Sequence, residues 1–378
     1  MKRNVINLYV AILLLVALLF SLLTIYAFGE EETGGLSVSA RSAALYQPDN
    51  EIFLYKKNAD MRLPMASTTK IMTALLAIEN SDPADLVLID DSAVGVEGSS
   101  AYLRSGDILT MEELTYALLL QSANDAAVAI ACYIGGDVEG FSALMNEKAA
   151  DLGLTNTHFT NPHGLDDKDH YTTSHDLSII AAEAMKNDNF CKIVSTYKKT
   201  FSTEERSRTY VNHNKLLKLY DGCVGVKTGF TKKSGRCLVG AAKKDGLTFI
   251  SVTLDAPSDW SDHKKLLDMG YDRLERITLS ESFDHTYKIP VIDGDKEFVN
   301  VTNPDGAFII TEKSEHTEKS YLKLVRYAIA PVAEGDILGE IIYTVDGKEA
   351  ARVNLVACET VNKKKEKGLL DKFLSIFK

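Results

Sequence analysis

The chain has no C-x-x-C pair among its five cysteines, Cys132, Cys191, Cys223, Cys237 and Cys358, so their spacing argues against a zinc or dithiol redox centre. Five is odd, so at least one thiol is unpaired or pairs between chains. Cys132, within VAIACYI, reads as a small buried side chain. Cys223 and Cys237 fall in neighbouring expected strands but not opposite each other around the intervening turn, which leaves a bridge between them unsupported. Positive charge is outweighed, with 42 Lys and Arg against 53 Asp and Glu. A formal net charge of −11 gives no basis for the basic footprint of a nucleic-acid binder, though it leaves room for a small basic pocket. Prolines number only eight, and no internal repeat or low-complexity tract is visible.

What is present is an ordinary globular composition, 45% hydrophobic and 25% charged, over 378 residues, enough for two domains with real cores. The chain starts with Lys2 and Arg3, runs apolar from Val5 to Phe28, and ends that run at Glu30-Glu31-Glu32. This is an export segment, with small residues around Ala27 and Gly29 where a signal peptidase would cut. The run is also long enough to act as an uncleaved anchor. Either outcome puts the rest of the chain outside the cytoplasmic membrane. No cysteine stands near its end, so a lipoprotein signal is not expected.

The following stretch, LSVSARSAALYQPDNEIFLYKKN, reads as two strands turning at Asp49-Asn50. Helical spacing then dominates from Ser67 to about Asn187, as in TMEELTYALLLQSANDAAVAIACYI and in VEGFSALMNEKAADLGL, closed by Gly153. Strands return in YDGCVGVKTGF, GRCLVGAAKK and LTFISVTLD, with turn chemistry at Lys232–Gly235 and Lys244–Gly246, and a last helix spans DWSDHKKLLDMGYDRLERI. The expectation is an α+β domain over residues 30–277, an antiparallel sheet backed by a helical cluster. Short alternating runs with turns at Asp293-Gly294, Asp305-Gly306 and Asp346-Gly347 then predict a small all-β domain over 278–362, a spacer or partner-binding module. In the tail, 363–378, Leu369, Leu370, Phe373, Leu374 and Phe377 share one helical face behind the basic stretch Lys363–Lys367. Such a helix suits an anionic membrane surface better than its own domain.

Three short motifs carry the chemistry. In PMASTTKIMTAL, Ser67 opens an apolar helix and Lys70 follows about one turn later, on the same face. Free N–H groups at a helix start favour developing negative charge. A lysine in poor solvent near another cation loses proton affinity and can take the serine proton. Alone, the pair reads equally as an N-cap and a snorkelling amine. A second S-x-x-K, Ser195 to Lys198, lies in a polar setting. Ser122-Ala123-Asn124 interrupts apolar residues on both sides, so its polar groups need a cavity or buried partners. Lys227-Thr228-Gly229 ends an apolar strand, where Gly229 would admit a peptide backbone and Lys227 and Thr228 would bind a carboxylate. Lys233-Ser234-Gly235, six residues on, falls in the expected turn.

In this order and setting, S-x-x-K, S-x-N and K-T-G resemble the serine penicillin-recognising enzymes. PMASTTKIMTAL, QSANDAAVAIA, NPHGLDDKDHYTTSHDL, NHNKLL and DGCVGVKTGFT together resemble the low-molecular-mass D-alanyl-D-alanine carboxypeptidases, or penicillin-binding proteins, over most of the chain. The resemblance implies a β-lactamase/transpeptidase-like catalytic domain and a serine peptidase without a cofactor. Its substrates would be peptidoglycan stem peptides, and β-lactams its covalent inhibitors. It makes Ser67 the nucleophile, Lys70 the general base and Ser122 the proton shuttle. Asn124 positions the peptide, and Lys227 and Thr228 bind the terminal carboxylate. The N–H groups of Ser67 and Phe230, beside Gly229, form the oxyanion hole.

Departures are small. Ala123 stands where many relatives carry Gly or Asp, and His213 stands where some carry another basic residue. His158, His163, His170 and His175 lie among Asp166, Asp167, Asp169 and Asp176, but the spacing fits no zinc signature, and the resemblance makes this segment a loop bordering the site. A class A β-lactamase would carry E-x-x-L-N, and Glu183 in EAMKN does not match. A D,D-endopeptidase acting through the same site and a non-catalytic β-lactam sensor complete the alternatives.

Overall fold

The computed structural model describes residues 36–202 and 206–365. The expected export segment, 1–29, and residues 366–378 of the tail lie outside the described residues. The chain divides into two compact units after Gly270.

In the first unit, strands β1 (Ser42–Gln47) and β2 (Ile52–Lys57) are followed by a 3₁₀ turn (Ala66–Thr69) and helix α1 (Lys70–Asn80). A ribbon of β3 (Leu86–Leu88) and β4 (Ile108–Thr110) precedes α2 (Met111–Leu120), α3 (Asn124–Gly135), α4 (Val138–Asp151), α5 (Ser174–Ala184) and α6 (Asp188–Ser195). A second ribbon, β5 (Lys198–Ser202) with β6 (Ser207–Val211), and a single turn α7 (Leu216–Leu219) lead to β7 (Cys223–Thr231), β8 (Gly235–Lys244), β9 (Leu247–Leu254) and α8 (Asp259–Arg273). The sheet is antiparallel in the order β2-β1-β9-β8-β7.

Every residue of β1 is buried, because both faces of the sheet are covered. Ser42 Oγ donates to Ser174 Oγ of α5 on one face, at 2.8 Å. On the other, Gly270 of α8 packs so closely that a Cβ there would lie 3.1 Å from Leu45 and Phe249. The β8–β9 hairpin turns through Asp245 and Gly246, both at positive φ (52° and 73°), as a two-residue hairpin demands. The helical cluster packs as one core built on Met65, Ile71, Leu75, Leu118, Ile130 and Phe141.

The sequence reading differs from the structure in three places. The long run from Thr110 breaks at Gln121–Ala123 into α2 and α3. The last helix stops at Arg273, because Ile277 and Thr278 are β-branched and LERITLS pairs instead with Ala307–Glu312. The β5–β6 ribbon, polar on its exposed face, was not anticipated.

The second unit is all β beyond the end of α8. A six-stranded sheet contains Thr286–Ile292, Phe298–Thr302, Glu318–Leu324, Ala328–Ile329, Ile337–Val345 and Lys348–Ala357, and a separate pair joins Leu274–Ser280 to Ala307–Glu312. Ile289, Val299, Val301, Leu355 and Val361 form its core. The expected turns at Asp293 and Asp346 adopt positive φ, 58° and 53°. All five cysteines are free, and Cys223 pairs with Ala242 whereas Cys237 pairs with Gly229, so the hairpin register separates the two thiols.

Candidate active site

Ser67 sits in the 3₁₀ turn that runs into α1, with its side chain partly exposed. Ala66 before it holds a φ of 49°, a strained value for a residue with a Cβ, and its carbonyl is tied down. Thr69 Oγ1 donates to Ala66 O at 2.9 Å. The Thr160 N–H donates to His170 Nδ1 at 3.0 Å, so that nitrogen is unprotonated. The hydrogen is therefore on Nε2, which donates to Thr69 Oγ1 at 2.8 Å. Burial, above all, pushes His170 down to about 4, which keeps this relay neutral.

Lys70 is fully buried. Its Nζ lies 3.0 Å from Ser67 Oγ, 2.7 Å from Asn124 Oδ1 and 2.6 Å from the His163 carbonyl oxygen. Asn124 Nδ2 donates to Glu97 O, which fixes the amide with its oxygen toward the lysine. Burial first, and Lys227 second, hold Lys70 well below the ordinary lysine range; Asp125 opposes them more weakly. A neutral amine has two hydrogens and one lone pair. An amide oxygen and a carbonyl can only accept, so they claim both hydrogens. Once neutral, Lys70 would have its lone pair left for the Ser67 hydroxyl, in the geometry that a general base requires.

The third motif comes from the sheet edge. A Cβ at Gly229 would lie 3.0 Å from the Ser67 nitrogen, so the absence of a side chain there lets β7 run close to the nucleophile turn without a shift. Residues 227 and 229 project from the same face of a strand. Lys227 is therefore directed to the same cavity, 1% exposed, with Nζ donating to the Thr228 carbonyl at 2.9 Å. Burial lowers its pKa to about 7. Phe230 is 66% exposed at the rim. Ser122 occupies the break between α2 and α3 at a φ of 61°, two residues from the amide that holds Lys70.

Two loops close around these groups. In the loop 160–165, Asn161 Oδ1 accepts the Gly164 N–H at 2.7 Å, and Thr73 Oγ1 donates to Pro162 O at 2.6 Å. Gly164 has a φ of 90°, and a Cβ there would collide with Ala66 O. Burial and Lys70 lower His163 to about 3, so it stays neutral beside the lysine. Thr231 Oγ1 donates to Asp166 Oδ1 at 2.9 Å, joining this segment to the end of β7. The second loop is organised by Asp125, which accepts from Ser100 Oγ (2.6 Å) and from the Ala101, Leu103 and Ala126 N–H groups.

The decoys lie elsewhere in role. Ser195 Oγ donates to Cys191 O within its own helix, and Ser234 Oγ braces the β7–β8 turn against Thr231. His158 bonds to Asp169 O and His175 to Asp176, apart from the site. Among the described residues no group of three or more His, Cys, Asp or Glu could hold a metal. Sequence reasoning missed the His163 carbonyl, because any residue type can supply one. It also passed over Asp125, although a carboxylate beginning a buried helix is a signal that it holds a loop.

A family profile described as D-alanyl-D-alanine carboxypeptidase matches residues 29–258, and one described as penicillin-binding protein 5, C-terminal domain, matches 277–363. The chain belongs to the D-alanyl-D-alanine carboxypeptidase family. It is 34% identical over 352 residues to the D-alanyl-D-alanine carboxypeptidase DacF of Bacillus subtilis, covering 89% of this chain and 90% of that one. The solved penicillin-binding protein 5 of Haemophilus influenzae is 30% identical, with a TM-score of 0.63 over 87% of this chain and 99% of its own. The Streptomyces K15 DD-transpeptidase is 35% identical, with a TM-score of 0.60 over 63% of this chain and 99% of its own. The α+β architecture with a carboxyl-terminal all-β domain is thus that of the penicillin-binding proteins.

Proposed function

We propose that this chain removes the terminal D-alanine from peptidoglycan stem peptides through an acyl-enzyme on Ser67. The observation that carries the reading is the buried Lys70 amine, 3.0 Å from Ser67 Oγ and held on its other sides by Asn124 Oδ1 and the His163 carbonyl.

In the reaction, Lys227 and Thr228 receive the terminal carboxylate. Lys70 takes the Ser67 proton as Oγ attacks the carbonyl between the two D-alanines. The N–H groups of Ser67 and Phe230 receive the developing oxyanion, a contribution of about 10²–10³ in rate for one such donor. Ser122 passes the proton to the departing amine. Water then cleaves the ester, and the serine recovers its hydrogen. A β-lactam acylates the same oxygen but keeps its amine tethered. The Glu183 side chain pairs with Lys186 at 2.7 Å, which supports the absence of a β-lactamase-type deacylating glutamate at that position.

Catalysis falls to the first unit, and the all-β unit leads to an attachment at the outer face of the cytoplasmic membrane. After cleavage near Gly29, residues 363–378 make that attachment. No single helix among the described residues is long and apolar enough to cross a membrane.

The test is incubation of the purified chain with a peptide ending in D-Ala-D-Ala, assayed for free D-alanine, beside a fluorescent penicillin. D-Alanine release with slow penicillin turnover supports the reading. Fast penicillin hydrolysis without release would make it a β-lactamase, and labelling without turnover of either a sensor. Deleting 363–378 is expected to free the chain from membranes; continued attachment would point to an uncleaved anchor.

A further inference from the structure

In the second unit the strands Phe298–Thr302, Thr286–Ile292 and Ala328–Ile329 lie side by side in one sheet. Pro290 pairs with Phe298, and Ile292 pairs with Ile329. Residues paired across strands, or two apart along one strand, project from the same face of a sheet. The alternate set, Ile289, Val291 and Val299, is buried in the core. Pro290, Ile292, Phe298 and Ile329 therefore all project outward, where the alternation of a half-solvated sheet calls for polar residues. Ile292 is 45% exposed, Phe298 49% and Ile329 62%. The exception is local. Farther along the same outward face Lys288 stands opposite Asn300 and Thr286 opposite Thr302, as suits a surface in water.

The apolar end of this face is also where the chain leaves the unit. The Lys364 N–H donates to Asp293 O at 2.7 Å, Gly294 is bridged to Lys363, and the Asp295 N–H donates to Asn362 O at 2.8 Å. Residue 366 therefore starts two positions beyond a backbone strap fixed next to Ile292. Thirteen residues follow, among them Leu369, Leu370, Phe373, Leu374 and Phe377 on one helical face. At about 1.5 Å per residue a helix over 369–378 measures about 15 Å, and three neighbouring strands present about 10 Å, so one such helix covers the patch. The turn beside the patch carries Asp293, Asp295 and Glu297, and its one lysine, Lys296, is paired with Glu359. This acidic border suits a segment that brings Lys372 and Lys378, and it repels anionic lipid.

We propose that residues 366–378 dock as a helix on the outward face formed by Pro290, Ile292, Phe298 and Ile329 of their own chain when no membrane is at hand. The docking is intramolecular and follows a linker of one or two residues, so a contact that would be weak between separate molecules suffices. The same apolar side chains cannot lie on this face and in a bilayer at once. The patch is thus a second station for the tail, and a membrane must compete with it. Only that competition rests on the attachment proposed above; the docking itself does not.

The test compares the chain cleaved near Gly29 with its Ile292→Glu, Ile329→Glu double variant. Hydrogen exchange is expected to find the amides of 366–378 protected in the wild type and unprotected in the variant, while the core strand Phe298–Thr302 stays protected in both. Should that strand lose protection, Ile329→Ser alone, at the sheet edge, repeats the comparison. Binding to vesicles containing phosphatidylglycerol is expected to tighten about tenfold in the variant, the gain from releasing a tail that is docked about nine-tenths of the time. Weaker vesicle binding in the variant would make the face a bilayer contact, and a wild-type dimer that the variant splits would make it an interface between copies. Either result, or an unprotected wild-type tail, overturns the docking. If neither chain binds vesicles, the membrane attachment alone falls, and the exchange data still decide whether the tail docks.

Discussion

Asn124 Oδ1 is 2.7 Å from Lys70 Nζ, closer than the 3.0 Å that separates the amine from Ser67 Oγ. The amide does more than line the pocket: it decides which way the amine's lone pair faces. Asn124→Ala is expected to lower kcat/KM by about 10²-fold, within the range for loss of a well-placed acid–base arrangement. Asn124→Asp adds a charge that favours the lysine's protonated form, so the acidic limb of the kcat/KM profile should move to higher pH. A profile unchanged in the aspartate variant would remove Asn124 from this role.

Lys227 lowers Lys70 by repulsion. Replacing it with methionine removes that repulsion, so Lys70 should hold its proton to higher pH and the acidic limb should again move up. KM for a peptide with a free carboxyl terminus should rise as well, while a carboxyl-amidated peptide should lose little. Equal losses for both peptides would contradict carboxylate binding by Lys227.

The same lysine, lowered to about 7, is largely neutral at pH 8. A bound carboxylate favours its charged form. Binding to the Ser67→Ala variant at pH 8 is therefore expected to take up most of one proton from solution, in accordance with linkage. Calorimetry in buffers of different ionisation enthalpy measures it. Ser67→Ala should also abolish covalent penicillin labelling, and retained labelling would reject Ser67 as nucleophile.

Three buried histidines titrate abnormally low: His163 to about 3, His170 to about 4 and His263 to about 3, chiefly through burial. The unfolded chain protonates them near 6.5, whereas the folded chain does not. Between about 6.5 and 4 the unfolded state binds more protons, so stability should fall as pH falls. His263 is held by Ser251 and Thr253, away from Ser67, so His263→Gln should flatten this part of the Tm profile without altering penicillin labelling.

Much of this was legible in the sequence because it depends on residue type. Apolar periodicity marked the helices, turn residues marked the hairpins, and the motifs around Ser67, Ser122 and Lys227, taken together, carried the family resemblance. The parts that were hidden depend on backbone. The His163 carbonyl, the break at Ser122 and the extension of Leu274–Ser280 into a strand come from tertiary packing that no local pattern encodes.

The nucleophile turn is pressed between Gly164, where a methyl group would collide with Ala66 O, and Gly229, where it would meet the Ser67 nitrogen at 3.0 Å. An enzyme can escape a drug by reshaping the pocket around its warhead, but here that route is closed at Gly164 and tight at Gly229. An alanine at Gly164 would displace the nucleophile turn for the natural peptide as much as for the drug. Resistance arising within this chain is accommodated more readily at the rim, around the exposed Phe230, where substrate and antibiotic differ in shape.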